Sequence, residues 1–349
     1  MADFYPLTVK HIKSLTPSAV AITFDVSKEL LQTFAFVPGQ YITIKKYIKG
    51  KELRRAYSIS SSPKNESITI GVKKVDNGGF SDYANTKLAV GDVLEVMPPD
   101  GRFVFKSSGA THNIAAFAAG SGITPIMSIA KTVLDSNDSN TFVLVYGNKS
   151  FEETMFYTDL VKLQLDYTNR FFVYFTNSQT KETDSLFGRI DMSTVNYALK
   201  EKHAAVDFDA FYLCGPEAMI HLVTDTLIEN EVPKDKIHFE LFTATEIKEE
   251  LPVSADGEAK IEVVVDDENF SFTMDKKMLI LDAVLKENID APYSCQGGVC
   301  SSCIAKVTEG KAEMVKNQIL TDDEIEEGLI LTCQAHALTP TIKVDFDDV

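Results

Sequence analysis

Short apolar runs broken by turn residues fill the opening stretch of the chain, at 19–24, 40–44, 67–72 and 93–97. Pro38-Gly39, Gly78-Gly79 and the segment from Pro98 to Gly101 interrupt them. Many short strands punctuated in this way predict an antiparallel β-barrel over residues 1–106. The rhythm then changes. Apolar runs at 114–119, 142–146, 171–175 and 210–214 alternate with longer stretches of helical character, notably 125–135 and 217–230. Buried strands in alternation with helices predict a doubly wound α/β domain over 107–244. A polar, acidic stretch at 245–257 fits a linker. Beyond it, strands at 261–265 and 269–274, a helix near 279–288 and a cysteine-bearing loop predict a third, α+β domain over 258–349.

Length agrees with that division, since 349 residues exceed what one ordinary core organises. Hydrophobic residues at 44% and charged residues at 24% suit a soluble globular chain. No apolar run approaches the roughly 18 residues of a membrane span, and Met1 to Pro6 lacks the basic start of a signal peptide. The expected setting is therefore a reducing cytoplasm, with no membrane partner. A net charge of −17 argues against nucleic acid, whose phosphates it would repel. The last 98 residues hold 20 acidic and 8 basic side chains, so most of that charge lies in the third domain. Such a surface could steer docking to a basic partner or could serve solubility alone.

Four of the five cysteines also fall in the third domain. Cys295, Cys300 and Cys303 are spaced C-x4-C-x2-C, and Cys333 follows some thirty residues later. That spacing suits a plant-type [2Fe–2S] cluster, which needs three thiolates on one tight loop and a fourth from elsewhere. Gly297, Gly298, Ser301 and Ser302 supply the small residues that let a loop wrap inorganic sulfide. Structural zinc more often shows two C-x2-C-like pairs, and a Rieske centre needs two histidines that the triplet lacks. Disulfides do not fit a chain with no mark of secretion.

Three further motifs carry chemistry. Arg55, Tyr57 and Ser58 stand on one predicted strand and could offer a flavin a phosphate cation, an aromatic face and a hydroxyl. A packed β-strand with an exposed arginine would read the same way. Gly120, Gly122, Thr124 and Pro125 lie between an apolar strand and a helix, where glycines let backbone approach a pyrophosphate and the helix N-terminus favours negative charge. A tight strand-to-helix turn is the plainer reading, and Pro125 stands where a full G-x-G-x-x-G would place its last glycine. Cys214, Gly215 and Pro216 sit at another strand end, where ligands bind in open α/β sheets. A small buried hydrophobe is the alternative for Cys214.

In their order along the chain these motifs resemble the ferredoxin–NADP reductase superfamily, extended by a C-terminal plant-type [2Fe–2S] domain of ferredoxin-like, β-grasp fold. The domain order is similar to that of oxygenase reductases of the phenylacetyl-CoA epoxidase type. The resemblance implies that Arg55, Tyr57 and Ser58 hold the flavin, with Gly79 and Ser81 near its phosphates. It implies that Gly120, Gly122, Thr124 and Pro125 shape the nicotinamide pocket, and that Gly215 and Pro216 contribute a second nucleotide contact. Cys214 would lie beside the nicotinamide C4, Glu240 would join the flavin's hydrogen-bonding surroundings, and Phe242 would cover a flavin face. Ser58, Cys214 and Glu240 thus become the candidate catalytic residues, and Cys295, Cys300, Cys303 and Cys333 the metal ligands.

The activity implied is passage of electrons from NADPH or NADH through flavin and the cluster to an oxygenase component. FAD is favoured over FMN by the resemblance alone. Relatives specific for NADP often carry an arginine after the strand at 171–175, where this chain has Thr176 to Lys181. Lys149, Lys181 and Arg189 become the candidate partners of a 2′-phosphate, and NADPH is slightly favoured. A reductase for another acceptor is the alternative enzyme, and a redox-sensing iron–sulfur regulator the alternative of another class.

Overall fold

The computed structural model describes residues 3–76, 78–108, 110–242 and 257–349. Of the linker expected at 245–257, residues 245–256 lie outside the described residues. The chain divides into two compact units, one holding Tyr5–Leu53 and Tyr57–Phe242, the other holding the described residues of 257–349, with which 3–4 and Arg54–Ala56 are grouped.

The first unit opens with β1 (Tyr5–Thr16), β2 (Ala19–Asp25), β3 (Tyr41–Ile48), β4 (Lys51–Ser58) and β5 (Ser67–Lys73), then α1 (Gly79–Thr86) and β6 (Val93–Val96). The six strands pair in the order β4-β3-β6-β1-β2-β5. A bridge between Ile59, just past β4, and Ile70 of β5 joins the two edges. That contact closes the sheet into the expected barrel, removing its free edges. Alternate residues turn inward, and Leu7, Val9, Ile22, Phe24, Ile42, Ile44, Ile70 and Val96 fill the interior.

The same unit continues with β7 (Asn113–Ala119), α2 (Ile123–Ser136), β8 (Thr141–Asn148), α3 (Tyr157–Asp166), β9 (Phe171–Asn177), β10 (Leu186–Phe187), α4 (Met192–Asn196), β11 (Ala210–Cys214), α5 (Glu217–Glu229) and β12 (Ile237–Glu240). These strands form one parallel sheet in the order β10-β9-β8-β7-β11-β12. The chain leaves β7 toward one side and returns to β11 on the other. Between β7 and β11 lies the switch point at which open α/β sheets leave a crevice for ligands. Phe142, Leu144 and Tyr146 of β8 share one face and pack with Ile126, Met127, Ala130 and Val133 of α2. This core runs on into Ala19, Ala21, Phe103 and Phe105 of the barrel, so barrel and nucleotide sheet share one apolar interior.

The second unit contains β13 (Glu258–Val265), β14 (Glu268–Asp275), α6 (Ile280–Lys286), β15 (Ile304–Glu309), β16 (Ala312–Met314), α7 (Asp322–Glu326), β17 (Leu329–Leu331), β18 (Ala335–Ala337) and β19 (Thr341–Asp345). Five strands pair in the order β14-β13-β19-β15-β17, with β13 and β19 parallel and the other pairs antiparallel. Ile280, Leu281 and Val284 of α6 pack on this sheet, the α+β arrangement expected of a β-grasp domain. Among the described residues no helix is long and apolar enough to cross a membrane.

Candidate functional site

The crevice between β7 and β11 is built by the close approach of two loops. A Cβ placed on Gly122 would stand 2.1 Å from the Cys214 carbonyl oxygen and 2.9 Å from the Gly215 nitrogen. Only glycine allows that contact. Gly120 has φ +55°, and its carbonyl accepts a hydrogen bond from the Tyr146 hydroxyl at 2.8 Å, which fixes the loop from below. Thr124 Oγ1 donates to the Ser121 carbonyl at 3.0 Å and completes the turn into α2. Pro125 sits in the first turn of α2, where a missing N–H leaves no gap in the helix. Gly215 and Pro216 form the opposing turn, and Pro216 precedes the first residue of α5.

Register places Cys214 beside Glu240 across β11 and β12. Glu240 is almost wholly buried, and Ser58 Oγ donates to its Oε2 at 3.2 Å. Burial pushes the carboxyl up to about 8, against the opposing pull of the Ser58 hydrogen bond. Near neutral pH it therefore remains largely a neutral acid. Burial also raises the Cys214 thiol well above its ordinary value, and any charge on Glu240 raises it further, so sulfur here stays protonated. The structure thus brings together all three candidate catalytic residues, one from the barrel and two from the parallel sheet. Phe242 lies half-buried against the core that contains Cys214.

On β4, Arg55 and Tyr57 stand two residues apart and hence share a strand face. Arg55 Nη1 donates to the Arg54 carbonyl at 2.7 Å, and the Tyr57 ring lies 5.5 Å from that of Phe80. Phe80 belongs to α1, a helix the sequence reading does not anticipate because Gly78-Gly79 signals a turn. Gly79 opens this helix, and Ser81 Oγ accepts from the Val75 nitrogen at 3.3 Å. Both residues thus sit in the first turn of this helix, where a helix N-terminus favours negative charge such as a phosphate's.

Asn148 escapes the sequence reading altogether. It follows Phe142, Leu144 and Tyr146 on the same face of β8 and puts a carboxamide where the apolar series ends. The group lies near enough to the Tyr146 hydroxyl to bear on its ionisation. Yet among the described residues neither its Nδ2 nor its Oδ1, both buried, completes a hydrogen bond. An orphaned carboxamide next to the Gly120 loop is costly unless a ligand satisfies it. Lys149, Lys181 and Arg189 are all exposed, and Lys181 Nζ lies 4.9 Å above the exposed Phe187 ring at the end of the same sheet.

In the second unit, the loop between α6 and β15 carries Cys295, Cys300 and Cys303. Its turn needs left-handed backbone at Gln296, φ +54°, and at Gly298, φ +70°. The Thr332 nitrogen and hydroxyl both donate to the Cys303 carbonyl, at 3.1 and 2.9 Å, and bring Cys333 to the loop. The four thiols lie close enough to bear on one another's ionisation, Cys295 with Cys300 and Cys333, and Cys303 with Cys333. These contacts hold the Cys295 and Cys303 thiols below their ordinary value and push Cys300 and Cys333 above it. Crowded thiols cannot all ionise unaided, whereas bound iron makes four thiolates favourable. The Gly297 nitrogen donates to Cys295 Sγ at 3.3 Å, the type of contact that sustains a thiolate. All five cysteines are free of disulfides. Among the described residues no three His, Cys, Asp or Glu side chains are gathered as a single-ion site would gather them. Four neighbouring thiols, with a backbone donor aimed at one of them, suit a two-iron cluster.

Comparison with known proteins follows the same division. Residues 6–105 match the oxidoreductase FAD-binding domain, 117–225 the oxidoreductase NAD-binding domain, and 263–338 the 2Fe-2S iron-sulfur cluster binding domain. The chain is 38% identical to a component polypeptide of the 1,2-phenylacetyl-CoA epoxidase of Escherichia coli, covering 99% of each. It is 33% identical to the ferredoxin reductase component of 3-ketosteroid-9-alpha-monooxygenase of Rhodococcus rhodochrous, over 97% of this chain and 96% of that one. Phthalate dioxygenase reductase, described as modular for electron transfer from pyridine nucleotides to [2Fe-2S], shares the fold at a TM-score of 0.63 and 22% identity, over 98% of both chains.

Proposed function

Because the chain belongs to the family of oxygenase reductases that join FAD-binding, NAD-binding and 2Fe-2S domains in one polypeptide, we propose that it serves a phenylacetyl-CoA epoxidase in the cytoplasm. The observation that supports this most is the 38% identity, over 99% of both chains, to a component of such an epoxidase. When bound, NAD(P)H, FAD and the [2Fe–2S] cluster supply hydride delivery, conversion of a two-electron input to single electrons, and their onward transfer.

The chain's own residues provide position and charge. Arg55 binds a flavin phosphate, the α1 N-terminus with Gly79 and Ser81 assists it, and Tyr57 and Phe242 offer aromatic surface. The contact between Gly122 and Cys214 holds the nicotinamide loop at the switch point, and Gly120, Thr124, Pro125, Gly215 and Pro216 shape its walls. Asn148 offers its carboxamide to the dinucleotide. Cys214 keeps the pocket uncharged and dry, and Glu240 with Ser58 holds a proton in place beside it. Cys295, Cys300, Cys303 and Cys333 hold the cluster. The acidic surface of 258–349 steers docking to a basic oxygenase face.

Reconstitution tests the assignment. With the oxygenase components of a phenylacetyl-CoA epoxidase, phenylacetyl-CoA and dioxygen, NAD(P)H oxidation should yield the ring epoxide and water at a rate that falls as salt rises. Efficient coupling to a ketosteroid hydroxylase instead, with no epoxidation, would move the protein to another oxygenase system.

Glu240 gives a prediction with a definite sign. Its carboxyl takes up a proton more readily in the folded chain, at about 8, than at its ordinary 4.5. Between these values the folded state keeps a proton that the unfolded state has lost, so this contribution to stability falls as pH rises across the window. Glu240→Gln cannot ionise and should flatten the decline of melting temperature between about pH 5 and 8. An unchanged slope would mean that Glu240 is not held neutral.

For the coenzyme, NADPH is the preferred reading, with Lys181, Lys149 or Arg189 meeting the 2′-phosphate. Neutralising the true partner should lower kcat/KM for NADPH about ten- to a hundred-fold, the worth of a charge-assisted hydrogen bond, and leave NADH nearly unchanged. Equal losses with both coenzymes, or a wild type that prefers NADH, would remove the assignment.

A further inference from the structure

The fourth cysteine has a neighbour whose side chain turns back on it. Thr332–Gln334 form a single 3-10 turn between β17 and β18. The Gln334 carbonyl accepts from the Val315 nitrogen at 2.8 Å, which anchors the residue's backbone. Its Nε2 donates to the Cys333 carbonyl at 2.7 Å and stands 3.9 Å from Cys333 Sγ and 3.5 Å from the Gln296 carbonyl. The aliphatic stem lies on the cysteine loop, for a Cβ on Gly298 would come within 2.8 Å of Gln334 Cγ. A glutamine amide carries two protons. One is committed to the Cys333 carbonyl, which sets the plane of the amide. The other faces Cys333 Sγ and the carbonyl of Gln296, the residue held at φ +54° in the loop.

We propose that Gln334 is a positioning and tuning residue of the iron–sulfur centre, its amide donating to the Cys333 sulfur while its stem ties the fourth ligand to the loop bearing the other three. The inference rests on the reading of the four cysteines as cluster ligands. An N–H aimed at a ligand sulfur favours the more negatively charged, reduced state and so raises the reduction potential. Loss of that proton should make the cluster harder to reduce. Loss of the stem should loosen the joint between the two ligand-bearing segments and hasten release of iron.

The test uses the full-length protein with flavin and cluster loaded, and follows the cluster's midpoint potential by redox titration monitored by electron paramagnetic resonance. Gln334→Leu removes the donor and should shift the potential downward. Gln334→Glu keeps the shape. It should shift the potential further down at high pH, where a carboxylate faces the sulfur, and recover as pH falls and the carboxyl regains a proton to donate. Wild type should lack this pH-dependent recovery. A packing role alone would not create that dependence. Iron and sulfide content is measured first. A wild type without cluster would sink the underlying assignment, whereas a full cluster whose potential is the same in wild type, Gln334→Leu and Gln334→Glu at every pH would overturn the inference alone. Should Gln334→Leu fail to hold iron, Gln334→Met, which keeps the stem without the donor, takes its place: a lowered potential supports the inference and an unchanged one overturns it.

Discussion

Cys300→Ala should strip the protein of its visible iron–sulfur absorption while leaving flavin bound and reducible by NAD(P)H. Cys300 is buried and neighbours Cys295, so its removal leaves three thiolates for a cluster that needs four. A [2Fe–2S] core with one cysteine missing from its three-cysteine loop loses iron. The apolar cores of the barrel and the parallel sheet contain no residue of that loop. Electron delivery to an oxygenase should fall to background, and reduction of ferricyanide, which takes electrons from the flavin, should survive. Retention of both irons and sulfides in the variant would show that Cys300 is not a ligand.

Gly122→Ala should cost about 10²-fold in kcat/KM for NAD(P)H, with flavin content unchanged. The backbone of Gly122, at φ −61° and ψ −7°, would accept alanine without strain. The obstacle is contact, since the new methyl would overlap the Cys214 carbonyl oxygen at 2.1 Å. The two loops must part, and the crevice between β7 and β11 loses its shape. Overpacking of this kind costs about 1–3 kcal/mol of stability, visible as a lower melting temperature. Displacement of a reacting group by about 1 Å can cost 10²-fold in rate. Rapid-mixing measurement of flavin reduction checks the effect directly. An unaltered rate would mean that the nicotinamide does not depend on this contact.

The features that carry chemistry are unevenly legible from the chain itself. Cysteine spacing announces the cluster loop because the ligands are close in sequence, and buried parallel strands such as 142–146 and 210–214 stand out as apolar runs. β1 is harder to find. It alternates a few buried residues, Leu7 and Val9 among them, with many exposed polar ones, so no run marks it. The helix at Gly79–Thr86 hides behind two glycines that read as a turn. The contact that makes glycine necessary at position 122, along with Asn148 and Gln334, is obscure for a deeper reason. Each is decided by what faces it across tens of residues of sequence: the Cys214 carbonyl, the Gly120 loop, and the Cys295–Cys303 turn. The partnership of Ser58 with Glu240 is likewise tertiary, and 182 positions separate them.

Cofactor content of the purified, full-length protein tests the central claim most directly. Extraction and identification of the flavin, together with iron, sulfide and zinc analysis, should give one FAD, two irons and two acid-labile sulfides per chain, as an FAD-binding domain and a 2Fe-2S domain require. The same sample should be bleached by NAD(P)H. A single zinc in place of iron, or iron and sulfide with no flavin, would contradict the account.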